Sequence, residues 1–193
     1  MSKNFLNKLF KKARSHYNWT NKNINEKILK DLYELIKNCP TSANSEPMRI
    51  VFLKSKKAKE RIKPFLSEGN VEKTLTAPIC AIIAYDTKFY NHLPKLFPHN
   101  LGMKKVLSKP LRKAETTAFR NSTLQGGYFI LAARALGLDV GPMSGFDNAG
   151  VDKEFFSNGR FKSNFLCNLG YGDKSKLLKR APRFVFSDVC QII

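Results

Sequence analysis

The sequence predicts an α+β fold in one domain, residues 1–193, on three observations. Helical periodicity is strong in two places: Ile24, Ile28, Leu32, Leu35 and Ile36 recur on one face, and so do Leu124, Tyr128, Leu131 and Ala135. Between them, residues 79–85 form a continuous apolar run rich in isoleucine and alanine, the pattern of a strand buried on both faces. The chain has 193 residues, 42% of them hydrophobic, with 9 prolines, no internal repeat and no linker, which suits one hydrophobic core.

Taken in order, residues 5–14 read as an amphipathic helix, with Phe5, Leu6, Leu9 and Phe10 among lysines and Ala13-Arg14-Ser15-His16 at its end. The helix that begins near Ile24 must stop before Pro40, because the residue preceding a proline is pushed out of the α region. Residues 40–47, Pro-Thr-Ser-Ala-Asn-Ser-Glu-Pro, are a short polar loop with donors. Residues 49–53 form the first strand, residues 56–66 a surface helix broken near Pro64, and residues 69–73 a further helical turn. From 86 to 118 the periodicity degrades around Pro94, Pro98 and Pro110, so this segment reads as helices with long loops and a candidate mobile lid.

Ser122-Thr123-Leu124-Gln125 has capping-box spacing and predicts a helix start, with Gly137 as its left-handed stop. Gly141 and Gly145 then bracket Pro142-Met143-Ser144, a loop whose main-chain N–H groups can approach a flat ligand closely. Residues 151–156 are a short helix, 164–169 a strand ending at Gly170, 172–180 a basic connection and 183–186 a last short strand. Residues 189–193 form an apolar tail that would be out of place in water.

The formal charge of +19, from 34 basic and 15 acidic residues, raises the question of a nucleic-acid surface. Its distribution argues otherwise. The basic residues are spread along the chain, the largest local groups being 54–63 and 174–183, and no zinc-finger, P-loop or RNA-recognition signature accompanies them. Cys39, Cys80, Cys167 and Cys190 form no Cys-x-x-Cys pair and read as buried thiols; His92 and His99 stand seven positions apart across two prolines, which argues against a metal site. No apolar run reaches the roughly 18 residues of a membrane span, and no signal-peptide core precedes the domain, so the expected location is the cytoplasm.

The segment Ala135-Leu136-Gly137-Leu138-Asp139, followed by Pro142 and by Gly145-Phe146-Asp147, resembles the loop of the nitroreductase family of FMN-dependent oxidoreductases. Other segments resemble the family in the same order. Arg14-Ser15-His16 is similar to its N-terminal phosphate motif, with His16 a departure at the second polar position; residues 40–47 resemble its proline-bounded loop, with Met48 where many members have tryptophan. Asn70-Val71-Glu72-Lys73 matches an Asn-x-x-Lys turn, and Arg180-Ala181-Pro182-Arg183 the basic phosphate-binding segment, with Arg180 the better aligned. Ala13-Arg14-Ser15-His16 with Trp19, Leu96-Phe97-Pro98 and Gly141-Pro142-Met143-Ser144-Gly145-Phe146-Asp147 further resemble the branch that includes malonic semialdehyde reductases.

The resemblance implies a central, mostly antiparallel sheet flanked by helices, in an interlocked homodimer whose subunits share two FMN sites. It implies cofactor contacts from Arg14, Ser15, His16, Ser42, Ala43, Asn44, Asn70, Lys73, Pro142, Met143, Ser144, Gly145, Arg180 and Arg183, with Ser144 and Gly145 at the N5/O4 edge of the ring and Lys73 stabilising the reduced ring's charge. It implies ping-pong hydride transfer through N5 from NADH or NADPH, the sequence not choosing between them, to a small molecule such as 3-oxopropanoate, yielding 3-hydroxypropanoate. Arg120, Arg112 and Lys104 are candidates for the substrate's carboxylate; no catalytic acid is named and no metal is expected. The rivals are a broad nitroaromatic or quinone reductase on the same fold and a non-enzymatic basic nucleic-acid-binding protein.

Overall fold

The computed structural model describes residues 3–193. Its centre is β2 (Ile79–Asp86), in which every residue is buried, as the unbroken apolar run requires. β2 pairs antiparallel on one side with β1 (Met48–Leu53), in the register Ile50↔Ile83 and Leu53↔Cys80. On the other side it pairs antiparallel with β4 (Phe161–Gly170), Ile79 opposite Leu169 and Asp86 opposite Phe161, with an irregularity at Ile83/Ala84. β3 (Asp139–Met143) closes the far edge against β4, so the described residues form a four-stranded antiparallel sheet in the order β1-β2-β4-β3.

In chain order the helices are α1 (Lys3–Leu6), α2 (Glu26–Ile36), α3 (Lys56–Ile62), α4 (Glu68–Thr76), α5 (Leu93–Leu96), α6 (Met103–Ser108), α7 (Leu111–Ala135), α8 (Asn148–Phe155) and α9 (Phe186–Val189). On one face of the sheet, Leu32 and Ile36 of α2 and Phe129 and Ala133 of α7 pack with Ile79, Ala81 and Ile83. On the other, Ile62 and Val151 pack with Cys80, Ile82, Ala84 and Leu166. Alternate residues of β2 thus feed two cores, the period-2 geometry of a strand. A third cluster, including Tyr85, Phe89, Leu93, Leu107 and Ala118, roots the irregular excursion that follows β2.

Several expectations are corrected. The N-terminal helix gives way to a wide turn at Asn7–Lys11, so Ala13 to His16 lie outside any helix and Ser15 makes a parallel bridge to Val140. α7 begins at Leu111, not near Ser122: the supposed capping serine lies inside the helix, buried, and its hydroxyl donates to the Ala84 carbonyl at 3.1 Å. The buried face of α7 carries Ala114, Ala118, Gln125, Phe129 and Ala133, whereas Leu124 and Tyr128 lie on the outward face. Asp139–Met143, read as loop, is strand β3; the Pro142 ring is tolerated there because this strand lies at the sheet edge. Residues 183–186 form no strand, and Phe186 opens the one-turn α9 instead. Cys39, Cys80 and Cys167 are buried, but Cys190 is exposed. Among the described residues, no helix is long and apolar enough to cross a membrane.

Candidate functional site

The chain's two terminal segments meet at the start of β3. His16 N–H donates to the Val140 carbonyl at 2.9 Å, which pins the N-terminal segment to the sheet. Arg14 donates through Nη2 to the Leu178 carbonyl, and Arg180 Nη2 returns the tie to the carbonyls of Lys11 and Ala13 at 2.9 and 2.8 Å. Each arginine therefore fastens one segment to the other. Between them opens a cleft of about 480 Å³, lined by Arg14, Ser15, Arg134, Arg180 and Arg183 among others, with Asp173 the one carboxylate on its wall among the described residues. A neighbouring cleft of about 440 Å³ shares Arg14, His16 and Arg134. The arrangement concentrates positive potential in a half-enclosed space, where it attracts a compact anion far more than the same charges do in open water.

His16 sits differently from its neighbours. It touches both clefts but is only 4% exposed. Its Nε2 lies 3.4 Å from an Asp139 carboxylate oxygen, and its ring is pressed on Gly172, where a Cβ would fall 1.8 Å from Nδ1. Burial pushes the imidazole below its ordinary 6.5; Asp139 opposes that shift, and Arg14, Lys174 and Arg134 reinforce it. The ring is a wedge holding Asp139 and Gly172 together, and Asp139 accepts from Gly172 N–H at 2.9 Å on its other oxygen.

Alongside runs a second group. Asn70, on α4, donates its amide to the Gly145 carbonyl at 2.9 Å, and Ser67 N–H donates to the same oxygen at 3.0 Å. Three residues on, the Lys73 carbonyl accepts from Trp19 Nε1 and from Asn168 Nδ2, each at 3.1 Å. These bonds fix the backbone and leave the ammonium free to lie 4.4 Å from the centroid of Tyr17, a residue of the larger cleft. Met143 Sδ accepts from Thr74 at 3.8 Å, while Pro142 stands opposite Cys167 in the sheet and Ser144 accepts from Phe146 N–H at 3.0 Å. Asn70 and Gly145 are thus bonded to each other, and Lys73 reaches, through Tyr17, the cleft that Arg14 and Ser15 line.

Ser42, Ala43 and Asn44 are elsewhere. They form a tight 3-10 turn with Ala43 and Asn44 in left-handed conformation at φ 50° and 46°, followed by Glu46 at 38°. None of the three lines either cleft. Asn121 Oδ1 accepts from Ser42 N–H at 2.8 Å, and Asn44 donates its amide to the Leu96 carbonyl at 2.9 Å. The sequence reads residues 40–47 as a short polar loop, and the structure makes its centre a tight left-handed turn that, within one chain, stands apart from the cleft.

Sequence reasoning missed Arg134 and Tyr17, and it quoted Trp19 and Asp139 only as marks of resemblance, with no place in the site. Arg134 donates to the Leu9 carbonyl at 3.2 Å, its Nε is buried without a partner, and burial depresses its basicity. A signal existed: it is the one charge in the apolar run from Phe129 to Leu136, and a lone charge on a buried helix face needs a reason.

The same chain matches a model of the nitroreductase family over residues 10–171. It is 52% identical over 188 residues, 97% of this chain and 95% of the other, to a protein of Rhodopseudomonas palustris (strain TIE-1) named as a candidate NADH dehydrogenase/NAD(P)H nitroreductase. A protein of Cupriavidus pinatubonensis (strain JMP 134 / LMG 1197) with the same description is 49% identical over 189 residues, 97% and 96% of the two chains. Among solved structures, a candidate nitroreductase of Exiguobacterium sibiricum in complex with FMN superposes with a TM-score of 0.87 at 18% identity, covering 100% of this chain and 99% of that one.

Proposed function

This chain belongs to the nitroreductase family, and from that premise we propose that it is an FMN-dependent NAD(P)H oxidoreductase. One observation carries the reading: Arg14, Arg134, Arg180 and Arg183 line a single cleft against one carboxylate, Asp173, in the described chain. A phosphate monoester is the ligand such a wall fits, since guanidinium forks pair with phosphate oxygens and the unpartnered Nε of Arg134 supplies a donor in search of an acceptor. Ser15 lines the same wall. The adjoining surface of Asn70, Lys73, Ser144 and Gly145 then meets the isoalloxazine, with Lys73 offering a mobile cation to the ring edge that becomes negative on reduction.

FMN, when bound, supplies a two-electron hydride relay at N5. The protein's own part is to hold the phosphate, to present the main chain at Gly145 and to exclude water. The oxidant we favour is a small anionic aldehyde, 3-oxopropanoate. It is supported by the resemblance of residues 141–147 to the malonic semialdehyde reductase branch and by a +19 field that draws anions. The names of the two relatives favour a second reading, a nitro-compound reductase.

The functional unit we infer is a homodimer. Phe184, Phe186, Val189 and Ile192 project from the C-terminal segment with more than half their surface in solvent, Ile192 reaching 86%. A groove of about 830 Å³ runs between α2 and β1, lined by the apolar Leu29, Tyr33, Ile36, Met48, Ile50 and Phe52 together with charged residues such as Glu26, Lys30 and Lys54. An apolar tail and a groove with apolar residues along it that do not meet in one chain would be satisfied reciprocally by two. Dimerisation also gives Ser42–Asn44 a role, as the turn that a second copy brings to the ring.

The test is the visible spectrum of the purified protein, followed by anaerobic NADH or NADPH. Flavin bands that bleach support the reading, and a colourless protein that refuses added FMN overturns it. Turnover with 3-oxopropanoate exceeding that with nitroaromatics by kcat/KM selects the first oxidant; the reverse selects the second.

A further inference from the structure

The turn that a second copy would bring to the flavin in the proposed homodimer is strained, and something must hold it. Non-glycine residues at positive φ persist only where their surroundings over-determine them, and this turn has such residues at Ala43, Asn44 and Glu46. Glu46 N–H donates to the Thr41 hydroxyl at 3.2 Å, and Met48 N–H donates to Gln125 at 3.0 Å. The Glu46 carbonyl is gripped by Arg49 Nη1 at 2.9 Å, and the same nitrogen reaches the Met48 carbonyl at 2.8 Å. The other arm of that guanidinium, Nη2, lies 2.9 Å from Asp86.

Asp86 ends β2 and is wholly buried. Its carboxylate also accepts from Arg160 Nε and Nη2 at 2.9 and 2.7 Å and from Lys88 N–H at 2.9 Å, while His92 Nε2 stands 3.5 Å away. Burial alone would raise this carboxyl's pKa; Arg160, the Lys88 amide and Arg49 together hold it below the ordinary value, so it is a fixed negative charge. Asp86 N–H closes the circuit by donating to the Pro47 carbonyl at 2.9 Å, at the foot of the turn.

We propose that Arg49, anchored by Asp86, is a positioning residue for the flavin: it holds the Glu46 carbonyl, and through it the left-handed turn at Ala43 and Asn44, in the shape presented to the ring. The inference rests on the FMN and homodimer readings above. Asp86 is the fixed post and Arg49 the strut, because a planar fork can bind a carboxylate with one arm and two carbonyls with the other, whereas a lysine ammonium at the same site cannot span both. Arg160 provides an internal control. It shares the carboxylate, lies 2.8 Å from His92 and rests 5.6 Å from the Phe161 ring centroid, but it makes no contact with the turn among the described residues.

The experiment compares Arg49→Lys with Arg160→Met in the full-length protein, reading melting temperature, FMN Kd, the visible circular dichroism of the bound flavin and KM. Arg49→Lys keeps the charge beside Asp86 and should raise FMN Kd about tenfold, the cost of one charge-assisted hydrogen bond, with an altered flavin dichroism. Arg160→Met should lower the melting temperature while leaving both flavin readouts at wild-type values. Adding Glu46→Gly, which relieves the left-handed strain at that position, should recover much of the affinity lost in Arg49→Lys. A wild-type protein that takes up no FMN defeats the cofactor reading. A wild type that binds FMN while Arg49→Lys matches it in Kd, dichroism and KM, or while Arg160→Met loses as much affinity, defeats this inference alone.

Discussion

Asn70 and Gly145 are fitted to each other: the amide donates to the glycine's carbonyl at 2.9 Å, and a Cβ on that glycine would sit 2.6 Å from the same nitrogen and 3.1 Å from Ser67 Oγ. Gly145→Ala must therefore push Asn70 off its acceptor. Its expected effect is a loss of FMN affinity of about tenfold with a stability loss of about 1–3 kcal/mol, read by flavin fluorescence titration and by urea unfolding. Unchanged affinity would remove this edge from the site.

Neighbouring glycines of α7 should respond in opposite directions. At Gly126 a Cβ would strike the Phe165 ring at 2.5 Å, because the helix crosses the sheet there with no room to spare, while Gly127 has nothing within 4 Å. Gly126→Ala should destabilise by about 1–3 kcal/mol, and Gly127→Ala should stabilise by up to about 1 kcal/mol through helix propensity. Thermal unfolding of the two variants is the check.

Lys59 offers a third case. Its ammonium donates to the carbonyls of Leu75 and Ala77 at 2.7 and 2.6 Å, capping the end of α4 from within. Lys59→Met keeps the shape of the stem but leaves buried carbonyls without a donor, so about 1–3 kcal/mol of stability should be lost in urea unfolding.

The wedge at His16 makes stability depend on pH in a definite sense. Its folded pKa lies below 6.5, chiefly through burial, so the unfolded chain takes the proton first as pH falls. The contribution is intact above about 6.5 and is lost on acidification from there down to the folded value, with a slope of at most about 1.4 kcal/mol per pH unit. His16→Gln should flatten that stretch of the melting curve against pH; a curve unchanged in slope would contradict the assignment.

Cutting the chain after Arg183 should abolish the proposed homodimer, since it removes Phe184, Phe186, Val189 and Ile192 and leaves the groove beside β1 uncovered. Sedimentation equilibrium distinguishes the two states directly. A truncated protein still dimeric at micromolar concentration would locate the interface elsewhere.

What was legible in the sequence follows from how local each cause is. β2 and β4 stood out because an apolar run between turn residues is a signal carried by the strand itself. Gly137 stopped its helix as read, at φ 88°. The start of α7 was misplaced because Ser122 has the chemistry of a cap but satisfies a carbonyl of β2 instead, a partner 38 positions away in sequence. β3 was missed because Gly141 and Pro142 speak for a loop, and only the edge position of the strand, a tertiary fact, makes them tolerable. Arg14 and Arg180, named from separate motifs, line one cleft, and Gly145 accepts from Asn70 of another motif, whereas Arg134 lay outside any motif and the brace from Asp86 through Arg49 to Glu46 joins residues with no sequence pattern in common.

β1 ends the sheet with one side of its hydrogen-bonding ladder unpaired by another strand among the described residues, and Ile50, Val51 and Phe52 along it are only half covered. Natural edge strands are usually guarded by a charge in mid-strand, a proline or a bulge, but here the charges Arg49 and Lys54 stand at the two ends and leave the middle bare. A chain separated from its cover is therefore a template for sheet extension. If the proposed homodimer is that cover, mild denaturant that separates the copies should drive the chain toward thioflavin-positive aggregates before the core itself unfolds.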